Sequence, residues 1–191
     1  MNLVHRWLCG TARWRRTVRE SILPWALEGT PLAGSLPAGR VLEIGPGPGA
    51  STELLVERAA DLTCMEVDPD LAAALAARFA GRCVVVRCDD ATAMREADGS
   101  FDHVVCFTML HHVPSSALQD RLFREVRRVL RVGGVFAGAD TRASVPLRLL
   151  HVGDTYVPVD PATLAERLRA AGFREARVDV RTHAFRFRAV R

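Results

Sequence analysis

Apolar and polar positions along the chain switch between two periods. Residues 2–28 carry apolar side chains at helical spacing, with a break near Gly10-Thr11. Leu3, Leu8, Trp14, Val18, Ile22 and Trp25 can share one stripe there. A Gly- and Pro-rich linker follows from Pro31 to Gly39. From residue 40 short apolar runs alternate with amphipathic stretches. The pattern predicts strand 40–44, helix 50–60, strand 62–67 and helix 69–80, in which Leu71, Leu75 and Phe79 recur every four residues. Strand 83–87 follows, then strand 102–107 and helix 115–130, with Leu118, Leu122, Val126 and Val129 on one face. Strand 135–140, a loop over 141–159 and helix 160–171 come next. Asp160-Pro161 starts that helix and Gly172 stops it. Two runs, 174–181 and 184–190, are close enough to form an antiparallel pair. Alternating strands and helices predict an α/β fold, a parallel sheet covered on both faces. Ligands bind such sheets at the carboxyl ends of the strands.

The sharpest local signal is Val41-Leu42-Glu43-Ile44-Gly45-Pro46-Gly47-Pro48-Gly49, running into Ala50-Ser51-Thr52. It reads as a strand, a tight turn and a helix start. Glycine tolerates backbone shapes that other residues resist and lets a ligand lie on the main chain. The free N–H groups of the helix start favour polar or anionic ligand groups. A dinucleotide turn has the spacing Gly-x-Gly-x-x-Gly. Here the spacing is Gly-x-Gly-x-Gly. Pro46 and Pro48 each remove an N–H donor, and Glu43 sets a carboxylate where a pyrophosphate would lie. A ligand with an ammonium or sulfonium group suits it better. Glu66 lies 21 positions after Gly45, a spacing that suits a ribose diol. Asp68 and Pro69 read as the cap and first position of the next helix.

The chain resembles the class I S-adenosylmethionine-dependent methyltransferases. The resemblance rests on the glycine turn, Ser100-Phe101-Asp102, Leu110-His111-His112 and the run from Arg127 to Gly134, in that order. It covers about residues 38–191. It implies a Rossmann-like, three-layer α/β/α fold with a seven-stranded, mostly parallel sheet and an antiparallel last strand. It also implies S-adenosylmethionine as cofactor and S-adenosylhomocysteine as product. Glu43, Gly45, Pro46, Gly47 and Gly49 would form the turn around it, with Glu66 and Val67 at its ribose. Asp90 and Ala91 would meet the adenine, with Asp89 one register step away as the competitor, and Phe107 would complete the lining. The chain divides into a helical segment, 1–38, able to cover a substrate or meet a partner chain, and the methyltransferase domain, 39–191.

Candidate bases are His111, His112, His151 and Asp154, with Tyr156 nearby. His is the usual general base near neutral pH. The 111–112 pair can equally serve to shape a turn, and residues 151–156 can equally be a surface loop. No Lys is present among the 26 basic residues. That excludes a catalytic lysine and disfavours metal-dependent catechol-type methylation. The expectation is a metal-free transfer to an O, N, C or S nucleophile of a small molecule. A sequence such as Asn-Pro-Pro-Tyr, used in methylating exocyclic amines, is absent after strand 102–107.

Charge changes this picture little. The net charge is +4, with arginines gathered between Arg6 and Arg19 and between Arg174 and Arg191. These ends are expected to be solvated surface; docking of RNA or protein there is the alternative, and a non-catalytic cofactor-binding protein a further one. The five cysteines lack Cys-x-x-Cys spacing and are expected to be buried small hydrophobes. With no apolar run long enough for a bilayer, the expected location is the cytoplasm, without membrane contact. Trp7, Trp14 and Trp25 can pack internally or against a second copy, leaving a homodimer open.

Overall fold

The computed structural model describes residues 2–34 and 38–191, so linker residues 35–37 and the Leu3 side chain of the proposed stripe lie outside the described residues. Seven strands form one sheet: β1 (Arg40–Ile44), β2 (Asp61–Glu66), β3 (Val84–Cys88), β4 (Phe101–Phe107), β5 (Leu130–Thr141), β6 (Glu175–Val180) and β7 (Ala184–Val190). Their spatial order is β3-β2-β1-β4-β5-β7-β6. β1 pairs parallel with β2 and β4, and β7 runs antiparallel to both β5 and β6. The order reverses between β1 and β4. There the tips of adjacent strands diverge and leave a crevice.

Side chains alternate across the sheet, so each central strand feeds two cores. Leu42, Ile44, Val104 and Phe136 face α6 (Ser116–Val129) and α8 (Pro161–Ala170), against Leu122, Phe123, Val126 and Leu168. Val41, Val105 and Ala139 face the other way. They meet Leu23 and Leu27 of α3 (Leu23–Leu27), Leu55 of α4 (Thr52–Leu55) and Leu75 of α5 (Pro69–Arg78). Burial on both faces explains why the central strands read as continuous apolar runs.

The N-terminal segment forms α1 (Leu3–Cys9), α2 (Ala12–Thr17) and a π-helical turn, Val18–Ile22, before α3. The break falls at Gly10-Thr11, where the Thr11 hydroxyl accepts from Trp14 N at 3.2 Å and caps α2. The apolar stripe is only partly realised. Leu8 is exposed, whereas Leu23 and Leu27 are fully buried. A π turn takes an extra residue per turn, which shifts the buried face by one position. Trp14 and Trp25 pack against the core, and Trp7 is 71% exposed.

Three expectations need correction. The helix predicted over 50–60 is helical only at Thr52–Leu55, and the chain then tightens into i→i−3 bonds from Glu57 and Arg58. The loop over 141–159 contains α7 (Val145–Leu150), capped by Ser144 with Pro146 in its first turn; that is a helix-start signal. Cys83 and Cys88 are exposed, because β3 is an edge strand, while Cys64 and Cys106 are buried. Among the described residues no helix is long and apolar enough to cross a membrane.

Candidate active site

A cavity of about 430 Å³ opens at the carboxyl ends of β1, β2, β3 and β4. The glycine turn forms one wall. Gly45, Gly47 and Gly49 have φ of +64°, +54° and +82°, values that L side chains rarely adopt. Each glycine serves a different purpose. A Cβ on Gly45 would stand 2.2 Å from Met109 Cγ, and one on Gly49 would stand 2.6 Å from Leu75 Cδ1 on α5. A Cβ on Gly47 would meet nothing within 4 Å, because that face opens to the cavity. The turn is therefore locked on two sides and bare on the side a ligand would touch.

Glu66 ends β2 at the cavity floor and is 6% exposed. Its Oε2 accepts from Gly47 N at 3.0 Å and its Oε1 from Asp68 N at 3.1 Å. One bond to each oxygen fixes the carboxylate plane and leaves further lone pairs for a ligand. Asp89 and Asp90, after β3, both line the cavity. Asp89 accepts from Asp90 N and pairs with Arg95 at 3.3 Å, while Asp90 accepts from Thr92 N at 2.8 Å. Pro46, Val67, Ala91 and Phe107 join the lining.

Glu43 lies elsewhere. It is 1% exposed and does not line the cavity. It shares the Val41 face of β1, directly under the start of α4, where Ser51 Oγ and Thr52 Oγ1 donate to it, the latter at 2.6 Å. Burial raises its pKa above the ordinary carboxylate value, against the hydroxyl bonds, which lower it. The carboxylate ties strand to helix behind the turn.

The opposite wall is built from distant parts of the chain. The Leu110–His112 turn follows β4. Thr108, just before it, has φ +50°, the one positive φ outside glycine among the described residues. Positive φ is rare for a β-branched residue. His111 turns away from the cavity: its Nδ1 lies 2.6 Å from Asp140 Oδ1 on β5, and its main-chain N donates to Asp140 Oδ2 at 3.2 Å. Burial disfavours its charged form, but the Asp140 carboxylate outweighs that and raises its pKa. His111 and Asp140 thus make a buried clamp that holds the turn on β5. His112 points into the cavity with His5 and Asp154. Burial and the neighbouring His111 and His5 push the His112 pKa down to about 3. Burial, His151 and His111 push that of His5 down to about 4. Both rings are therefore neutral at pH 7. His151 and Tyr156 stack with centroids 4.5 Å apart; neither lines the cavity.

Sequence reasoning missed His5, Cys9, Trp14, Val18 and Ile22 as cavity lining. A lone His on a short N-terminal helix carries no spacing signal. Only the fold of α1 over the strand tips brings it in.

Residues 42–138 match the model of a family described as a methyltransferase domain. The chain is 30% identical over 170 residues to a ubiquinone biosynthesis O-methyltransferase of Xanthomonas euvesicatoria, a match spanning 80% of this chain and 70% of that protein. For the enzyme of the same description in Xanthomonas axonopodis the identity is 32% over 154 residues, spanning 71% and 63%. Among solved structures, the Haemonchus contortus phosphoethanolamine N-methyltransferase 2 in complex with S-adenosyl-L-methionine superposes with a TM-score of 0.76 at 14% identity. That match covers 98% of this chain and 56% of that one. At such identity the likeness concerns the fold alone.

Proposed function

Because this chain belongs to the class I S-adenosylmethionine-dependent methyltransferases, we propose that it methylates a hydroxyl oxygen of a small, largely apolar molecule. S-Adenosylmethionine supplies a methyl group already activated on a sulfonium centre. The cavity fits that cofactor: Gly47 offers a bare main-chain wall, and Glu66 a carboxylate fixed in plane at the floor. In this reading Glu66 holds the ribose hydroxyls, Asp90 or Asp89 takes the adenine amino group, and Gly45–Gly47 lie against the amino-acid portion. Glu43 acts indirectly by bracing the turn.

The acceptor would enter between His112 and the apolar side chains Trp14, Val18, Ile22 and Leu118. α1 and α2 then act as a cover that excludes water and keeps the acceptor oxygen on line with the methyl. The named relatives act in ubiquinone biosynthesis as O-methyltransferases, and the apolar wall suits an acceptor of that general kind. His112 is neutral and cavity-facing; with its pKa held so low it suits holding the acceptor hydroxyl in place rather than taking its proton. Nothing in this reading requires a metal. Docking of RNA on the C-terminal arginines has less support. Arg186 binds Asp179 and the Trp25 carbonyl, and Arg174 binds the Arg191 carbonyl, so these side chains are occupied within the fold.

The observation that carries the reading is the doubly anchored Glu66 beside the bare Gly47. Thermal melts with S-adenosylmethionine, S-adenosylhomocysteine, NAD and NADP test it. A ligand at about a hundred times its dissociation constant adds about 2.7 kcal/mol. The first two should raise Tm, and Glu66→Ala should remove most of the rise. A rise with NAD alone would overturn the reading.

A further inference from the structure

The acceptor end of the cavity holds a cluster that methyl transfer does not explain. One ring nitrogen from each of His5, His112 and His151 lies within 4.8 Å of the other two. The three residues come from α1, the turn after β4 and the end of α7. Their ring centroids are 5.0, 4.5 and 5.1 Å apart. Hydrogen bonds between the rings do not account for the gathering. His151 Nε2 is buried and has no hydrogen-bond partner, and His5 Nδ1 has only the Asp154 carboxylate, 3.7 Å away. The residues themselves are 3% and 7% exposed. Leaving a buried polar atom unsatisfied is costly, and an orphaned imidazole nitrogen gathered with two further imidazoles indicates a missing partner.

The surroundings define that partner's chemistry. His151 Nδ1 lies 2.6 Å from the Leu147 carbonyl oxygen, so it carries the proton and Nε2 presents a lone pair. This bond fixes the tautomer as it does in metal-binding histidines. Asp154 Oδ2 stands 3.7 Å from His5 Nδ1 and 4.0 Å from His112 Nδ1, a carboxylate able to orient two of the rings. Asn2 fastens the assembly. Its side chain accepts from His5 N at 2.9 Å and donates to the Leu150 carbonyl at 2.8 Å, and its main-chain N donates to Asp154 at 3.1 Å. A tetrahedral ion would draw the three nitrogens to about 3.4 Å from one another.

The geometry points to a site for a divalent transition-metal ion, of the zinc, cobalt or nickel type, ligated by His5, His112 and His151. Imidazole donors select such ions over magnesium or calcium. Three protein ligands leave a position open, and His5 and His112 bring it to the cavity wall. The metal's role, though not the site itself, rests on the methyl-transfer reading. A hydroxyl at the open position would have its pKa lowered; its O–H bond breaks, the proton leaves to water, and the oxygen is ready to take the methyl. The site departs from the metal-free transfer expected from the lysine-free sequence.

The test uses the full chain, stripped of metal with a chelator and titrated with Co²⁺ while visible d–d absorption is followed. Saturation at one equivalent, reversed by Zn²⁺, is expected. His5→Ala and His151→Ala should each weaken Co²⁺ binding at least 100-fold, whereas substitution of the exposed His183 should leave it unchanged. Should either variant unfold, protection of the parent's histidines from carbethoxylation by Zn²⁺ gives the same reading. An unchanged spectrum, or variants that bind as tightly as the parent, would overturn the site. Melts with S-adenosylmethionine on the same samples keep the two conclusions apart. A Tm rise without metal binding sinks only the site, and metal binding without a Tm rise sinks only the methyl-transfer reading.

Discussion

The two walls of the cavity are built in opposite ways. The wall formed by β1, β2 and the glycine turn is local and anchored on main chain. Glu66 is held by Gly47 N and Asp68 N, both near it on neighbouring strand ends. The facing wall is assembled from α1, the turn after β4 and the loop after α7, held by side chains: Asp140 on His111, and Asn2 on residues 150–154. The first wall is positioned by the parallel ladders and is expected to survive loss of a single side chain. The second depends on a few long-range polar contacts. A fold shared by many chemistries can thus keep one wall constant and rebuild the other.

The largest expected effect is on the side-chain-built wall. Asp140→Ala leaves the 3% exposed His111 without the carboxylate that pairs with its Nδ1, which costs about 3–5 kcal/mol. The denaturant midpoint should fall accordingly. Glu66→Ala should hardly move that midpoint, yet weaken S-adenosylmethionine binding ~100-fold, as two charge-assisted hydrogen bonds to ribose are lost. Calorimetry gives the affinity. Equal destabilisation by the two variants would erase the contrast between the walls.

Asn2→Ala removes the α1 cap and its tie to Leu150, an effect of about 1 kcal/mol. Hydrogen exchange should speed up in α1 and residues 150–154 and stay unchanged in β1 and β2. Exchange that rises everywhere would mean that α1 is part of the sheet's cooperative unit.

The smallest effect concerns Glu43, whose pKa is raised by burial. An acid with a raised folded-state pKa destabilises the fold as pH climbs from its unfolded value through the folded one. Glu43→Gln removes this penalty. Its stability relative to the parent should therefore increase as pH rises above about 4.5. Urea melts at low and neutral pH check the sign. A relative loss at neutral pH would mean that the Ser51 and Thr52 bonds outweigh burial.

The sequence by itself determined the sheet, the glycine turn and the acids at the tips of β2 and β3. These features are local. Apolar period, turn chemistry and the spacing from Gly45 to Glu66 all act within one strand–helix unit, and parallel pairing then puts successive strand tips side by side. Even the missed α7 was written in Ser144 and Pro146. The tertiary structure alone decided which way the carboxylates and imidazoles point. Alternation assigns Glu43 to a face of β1, but only the docking of α4 set the Ser51 and Thr52 hydroxyls on its carboxylate. His111 and His112 are adjacent in sequence, yet β5 supplied a carboxylate to one and left the other to the cavity. His5 and His151 met because Asn2 binds the end of α7 and the residues just after it. No pattern along the chain encodes a contact between segments so far apart, since it exists only once the intervening strands have folded.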